Sequence, residues 1–318
     1  MLNAPDILAA MKRAKKRHKA PQRIAIVGAG RLGTTLAERL AEAGYKITEI
    51  VTRNGSRSHA IVQRLTRKVG AAARTCGRAK LDADVVWFCV PDSQIAVAAR
   101  DLSGHDWRNK LVFHSSGVLS SDALAILRER GASVASLHPL MTFVKKSKPG
   151  LRDVPFAVEG DAAAVRVARR IIADLGGDSF RIRKQNKIAY HAFATMICPL
   201  LVSLLAVSEK VASLAGMSPH LARRRMMPIL NQTLTNYAKF GPAASFSGPI
   251  VRGDTETIAQ HMKSLDPVSD VKSVYVALAG AALQNLPSLN HKEIAVLLQV
   301  NPKPDRRRNS GKGRESAR

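Results

Sequence analysis

Hydrophobic positions along this chain follow two rhythms, and the change between them falls near residue 184. Before it, short apolar runs alternate with amphipathic stretches; after it, only helical spacing continues. Arg23-Ile24-Ala25-Ile26-Val27, Lys46-Ile47-Thr48-Glu49-Ile50-Val51, Asp84-Val85-Val86-Trp87-Phe88-Cys89-Val90 and Leu111-Val112-Phe113-His114 have the length and apolar content of buried parallel strands. So do 133–137 and 154–161, and 179–183 reads as a last edge strand. Helices are expected at 34–43, 121–130 and 162–175, the last capped by Asp161 and stopped by Gly176-Gly177. Strands alternating with helices predict an α/β fold, a doubly wound, Rossmann-type, mostly parallel sheet, followed by an all-α domain.

In the second rhythm, a long helix is expected over 187–215. Residues 192–207 contain no charge, but the stretch is short for a bilayer and Pro199 interrupts it, so a buried helix and no membrane span are expected. Lys187, His191 and Thr195 are spaced by four and share a face. Ser218-Pro219 opens a helix that Gly241-Pro242 ends, 247–254 reads as a rigid loop, and Asp254 caps a helix to about 265. Another helix covers 268–285, and Asn290-x-x-Glu293 resembles a capping box.

The sharpest local signal is Gly28-Ala29-Gly30-Arg31-Leu32-Gly33, set between the first strand and the first helix. In that context the three glycines fit a dinucleotide turn. Gly28 permits the tight bend and Gly30 lets a diphosphate approach the backbone. Gly33 lets the helix sit close, with the N–H groups around Arg31 and Leu32 facing the phosphates. The second strand ends on Thr52-Arg53-Asn54, with Arg57 nearby, where NAD-preferring sites carry an acid. Guanidinium groups there match a phosphate, so NADP is expected over NAD. In an open parallel sheet the ligand lies beyond the carboxyl ends of the strands, which brings in Val90 and Pro91. Ser116, His138, Lys187 and His191 are the candidates for substrate contact and proton transfer. The expected domains are a basic arm (1–22), a dinucleotide-binding domain (23–183), a helical substrate and dimerisation domain (184–300) and a disordered basic tail (301–318).

Composition narrows the partners. The formal charge is +26, with seven Lys/Arg in residues 1–23 against Asp6 and seven in 301–318 against Asp305 and Glu315. Such tails attract nucleic acid or acidic surfaces non-specifically. Neither holds an aromatic residue on which a base could stack, which argues against dedicated nucleic-acid reading. Three cysteines without a C-x-x-C pair, and no His spaced for zinc, fit a reduced cytoplasmic protein with no structural metal.

Taken together, the glycine turn, His114-Ser115-Ser116-Gly117, His138-Pro139-Leu140-Met141-Thr142-Phe143, Phe156-Ala157-Val158-Glu159-Gly160, Lys187-x-x-Tyr190-His191 and Gly248-Pro249-Ile250-x-Arg252-Gly253-Asp254 resemble a family of bacterial two-domain proteins. These join an NADP-binding module, of the kind found in deazaflavin-dependent NADP oxidoreductases, to a helical domain of unknown function. The wider group includes pyrroline-carboxylate reductases, β-hydroxyacid dehydrogenases and prephenate dehydrogenases. His138-Pro139-Leu140 is similar to the prephenate dehydrogenase segment whose His contacts the substrate hydroxyl. Lys187-x-x-x-His191 sits where β-hydroxyacid dehydrogenases carry Lys-x-x-x-Asn, with His replacing that Asn. The resemblance implies hydride transfer between NADP(H) and a small carbonyl, imine or hydroxyl compound, with a deazaflavin as a candidate second partner. The long apolar helix is expected to pair the chain with a second copy as a homodimer. Prephenate- or pyrroline-carboxylate-type chemistry and a non-catalytic NADPH sensor are the alternatives.

Overall fold

The computed structural model describes residues 22–53, 59–145, 147 and 149–301. The basic arm and most of the basic tail lie outside them. The chain divides into two compact units at Cys198/Pro199. That is later than the change of rhythm near 184, because the first helical turns after the sheet send polar side chains to the sheet edge.

The first unit holds eight strands in the order β3-β2-β1-β4-β5-β6-β7-β8. They are β1 (Arg23–Val27), β2 (Lys46–Thr52), β3 (Ala72–Thr75), β4 (Val85–Phe88), β5 (Leu111–His114), β6 (Ser133–Pro139), β7 (Pro155–Gly160) and β8 (Asp178–Arg181). All neighbours are parallel except β6 and β7, where Pro139 faces Phe156 and Ala135 faces Gly160. The central strands are buried on both faces, so they read as unbroken apolar runs. Ile24, Ile26 and Trp87 point into one core layer with helices α1 (Arg31–Glu42), α2 (His59–Val69) and α5 (Ala162–Asp174). Ala25, Val27 and Phe88 point into the other, with α3 (Asp92–Asp101) and the short α4 (Ala125–Arg128). The sheet is doubly wound, as its alternation of elements predicts.

Several local expectations change. The 121–130 helix is a 3₁₀ turn (Ser121–Leu124) leading into α4. Asp161 stands at the start of α5 but does not cap it. Its carboxylate instead accepts from the Val134 N–H at 2.8 Å and from Arg128 Nε at 3.1 Å, holding β6 to the α4 region. The long helix is two helices, α6 (Lys187–Ile197) and α7 (Pro199–Leu214). Pro199 lacks an N–H and disfavours helical backbone at Cys198, whose φ/ψ of −124°/−82° leave the helical region.

The second unit contains α7, α8 (Pro219–Ser245), α9 (Pro249–Arg252), α10 (Thr255–Ser264), α11 (Ser269–Asn285) and α12 (His291–Leu297). Its core gathers Ile258, Leu283, Ile294 and Leu298. Ser218 caps α8 through Leu221 N, Gly241 breaks it at φ +75°, and Asp254 caps α10 through Thr257 N. Residues 247–254 are not a plain loop, since α9 lies inside them. The Asn290 capping box does not form; its side chain donates to the Gly253 carbonyl instead.

The stretch 184–214 is long and apolar enough to cross a membrane by length and composition, although Cys198 interrupts it. The expectation that it is buried fails within one chain: none of that stretch's most apolar window is buried, and Val202 is 62% exposed. α7 packs chiefly on α8 and α11 among the described residues, which leaves much of its apolar surface uncovered.

Candidate active site

The glycine turn separates into two kinds of position. Gly28 has φ +107°, and a Cβ there would stand 2.6 Å from the Cys89 carbonyl oxygen. A Cβ at Gly33 would stand 2.1 Å from the Gly28 oxygen. Internal packing therefore requires both. Gly30 differs, because a Cβ there meets no protein atom nearer than 3.8 Å, yet the residue lines a cleft of about 180 Å³. Gly30 also precedes α1, whose first turn has no acidic residue and no side-chain cap. Its leading N–H groups are free to meet an anion.

Gly28, Gly30, Thr52, Arg53, Val90 and Pro91 line this one cleft. Arg31 is exposed at the start of α1, and Leu32 packs toward the core, which leaves its backbone to face the turn. Asn54 and Arg57 lie outside the described residues. Arg53 donates from Nη1 to Gln94 Oε1 at 3.3 Å. Asp101 lines the same cleft from α3. Sequence reading passed over Asp101 because it comes from a helix end rather than the end of β2. The set fits a dinucleotide: an uncapped helix start, a backbone without Cβ and a guanidinium at the far end.

Farther along the same sheet edge, β5 ends in His114, which is wholly buried. The Ser116 N–H donates to His114 Nδ1 at 3.1 Å, so the ring's proton sits on Nε2 and goes to the Ser120 carbonyl at 2.9 Å. Burial holds this imidazole neutral, its pKa pushed down to about 4. The Ser116 hydroxyl accepts from Val118 N and Leu119 N and so shapes the following turn. Its carbonyl accepts from Lys187 Nζ at 2.9 Å.

Lys187 opens α6 and is 1% exposed. Its ammonium also donates to Ser136 Oγ at 2.6 Å, and no carboxylate lies within ion-pair distance among the described residues. Burial brings its pKa from 10.5 down to about 8, against a weaker pull from Glu159 and Asp92. His138, two residues beyond Ser136 on the same face of β6, places Nδ1 2.9 Å from the Tyr190 hydroxyl. Burial first, then electrostatic repulsion from Lys187 and His191, lowers His138 to about 4. His138 and His191 meet edge to face at 6.0 Å between centroids. Both press on Gly117, where a Cβ would stand 2.3 Å from His191 Cδ2 and 2.9 Å from His138 Nε2.

Lys187, His191, His138 and the Ser116 backbone thus come together, while the Ser116 hydroxyl is turned to its own loop. Ser136 and Tyr190 join the cluster and were not singled out as site residues. Their signals were the two-residue step from Ser136 to His138 and the three-residue step from Lys187 to Tyr190. The arrangement offers a neutral imidazole, a buried amine and a phenol beside a cleft that suits a dinucleotide.

Comparison with known proteins agrees with this geometry. Residues 23–114 match the family model described as NADP oxidoreductase coenzyme F420-dependent, and residues 154–282 match a domain of unknown function, DUF2520. No curated protein sequence matches. Among solved structures, BF3122 from Bacteroides fragilis, provisionally named an NADP oxidoreductase, is 20% identical. It aligns over 82% of this chain and 97% of its own, with a TM-score of 0.69. Protein TM1727 from Thermotoga maritima is 26% identical over 80% and 95%, with a TM-score of 0.63. A reductive aminase from Aspergillus terreus, solved with NADPH and ethyl-5-oxohexanoate, is 14% identical over 87% and 99%, with a TM-score of 0.56. These likenesses establish the fold.

Proposed function

We propose reversible hydride transfer between NADP(H) and a small carbonyl, imine or hydroxyl compound, a reading supported by the match of residues 23–114 to the NADP oxidoreductase model and of residues 154–282 to the DUF2520 model. One observation carries the reading. The Gly30 cleft and the cluster of Lys187, His138, Tyr190 and His191 lie along one carboxyl edge of one sheet.

The hydride chemistry belongs to the dinucleotide; the chain binds, orients and handles one proton. Gly30 and the leading amides of α1 would hold the diphosphate, Arg53 the ribose phosphate, and Val90 with Pro91 one wall. Neutral His138 would meet the substrate oxygen or nitrogen through Nε2, its ring held by Tyr190. His191 and Lys187 are the groups that would give or take the proton at that atom. Ser116 contributes its carbonyl, which anchors Lys187. Assay with NADPH against a panel of small ketones, cyclic imines and a deazaflavin acceptor tests the reading. An inert panel together with unchanged NADPH would sink it.

The choice of cofactor rests on Arg53. Arg53→Ala is expected to weaken NADPH about 30-fold, the worth of one charge-assisted phosphate contact, and to leave NADH within about twofold. Fluorescence titration with each nucleotide reads the difference, and an equal loss for both would assign Arg53 no part in discrimination.

We also propose that the protein pairs with a second copy through its helical unit. Leu200 and Val202 on α7, and Ile229 and Leu234 on α8, are more than half exposed in one chain. Sedimentation equilibrium at micromolar concentration is expected to give a dimer that Val202→Asp converts to monomer. A wild-type monomer would contradict it.

A further inference from the structure

A second hollow, independent of the glycine cleft, lies between α5 and the edge strand β8. It encloses about 580 Å³ and is lined by Arg166, Arg169, Arg170 and Arg181, with Asp178 the one carboxylate among its lining residues. Arg169 and Arg170 follow Arg166 by three and four residues, so both neighbour it on one face, and like charges at that spacing repel. Ser179 and Arg181, two apart on β8, share a face of the strand. A folded chain that keeps such a stripe does so against its own electrostatics.

Little within the protein neutralises it. Among the described residues Arg166, Arg169 and Arg181 have no ion-pair partner, and Arg169 Nε reaches only the Ser179 hydroxyl at 3.3 Å. Arg170 is partly engaged, beside the hydrogen-bonded Tyr45 and Asp174. Asp178 accepts from the Ser179 N–H. The start of α5 adds to the imbalance, because the Asp161 carboxylate is turned to Val134 and Arg128 and leaves the first turn without a side-chain cap.

The helix arginines span 166 to 170, about 6 Å of helix at 1.5 Å per residue, and Arg181 adds a fourth guanidinium from β8. Four guanidinium groups on two elements exceed what one small anion needs and suit a chain of a few phosphates. No aromatic side chain lines it, so there is no platform for a base. Guanidinium forks match phosphate oxygens in pairs. From the four arginines on two facing elements and the absent base platform together, we propose that this hollow binds a short linear polyphosphate.

Calorimetric titration of the full chain with inorganic tripolyphosphate, with and without NADPH, tests this. A probe lodged at the glycine turn competes with NADPH; one lodged here does not. Binding is expected to be indifferent to NADPH and to fall about 30-fold or more in Arg166→Gln/Arg169→Gln/Arg181→Gln, three charge-assisted contacts being removed. NADPH affinity and melting temperature are expected to hold, as is tripolyphosphate binding in an Arg224→Gln/Arg225→Gln control on α8. Undiminished binding in the triple variant, or competition with NADPH, would overturn the proposal. So would a ten-residue thymidine oligonucleotide that binds through these arginines when tripolyphosphate does not.

Discussion

Lys187→Met is expected to lose turnover by about 100-fold or more while remaining at least as stable as the wild type at neutral pH. Lys187 is 1% exposed, and burial lowers its pKa from 10.5 to about 8. Keeping the ammonium inside therefore costs about 3 kcal/mol. A methionine of similar length removes that cost. The Ser136 hydroxyl already donates to the Ser116 carbonyl at 3.3 Å, so that acceptor keeps a partner once the amine is gone. The pH dependence gives a second reading. Between about 8 and 10.5 the unfolded chain still holds a proton that the folded lysine has released. The unfolded state binds more protons there, so wild-type stability gains from this group as pH rises through that window. Below about 8 the whole cost is present. Urea unfolding across pH 7 to 10.5 should show the gain in the wild type and not in the variant. A variant destabilised at neutral pH, with turnover intact, would make Lys187 a structural post.

The glycine turn offers an equally large and opposite pair. Gly33→Ala sets a methyl 2.1 Å from the Gly28 oxygen, and α1 must lift off β1 to admit it. A loss of about 3 kcal/mol is expected, at the upper end for overpacking. Gly30→Ala meets nothing nearer than 3.8 Å and replaces a glycine at a helix start, so stability should change by less than about 1 kcal/mol. NADPH affinity should fall about 100-fold, near 2.7 kcal/mol, because the methyl stands in the space that lines the cleft. Urea melts and fluorescence titrations on the two variants separate the effects. Full NADPH affinity in Gly30→Ala would remove the dinucleotide from this cleft.

How far the sequence could be read depended on whether local spacing or distant contact decided each feature. β5 falls on the expected residues because three large apolar positions in a row, between Lys110 and His114, have few other uses. α2 and β3 escaped notice. Ala72-Ala73-Arg74-Thr75 pairs only with β2 at the sheet edge, is half exposed, and has too little apolar content to stand out. At the site, the helical step from Lys187 to His191 was legible. The partners that govern it were not, since Ser116 and Ser136 are brought to Lys187 by strand order across β5 and β6. Asp161 shows the same limit: its position marks a helix start, but a backbone amide from β6 and an arginine from α4 compete for its oxygens and win.

Because β7 runs against β6, the segment joining Pro139 to Pro155 leaves and re-enters the sheet on a single side. Had the strand run the other way, that segment would have been committed to crossing a whole face. Freed from the crossing, it can change in length or composition at the rim that holds His138 without disturbing strand register, apart from Leu151 and Val154, which are buried in the core. Lineages wanting a new substrate, and engineers wanting the same, have there a stretch of chain open to revision while the frame beneath it stays put.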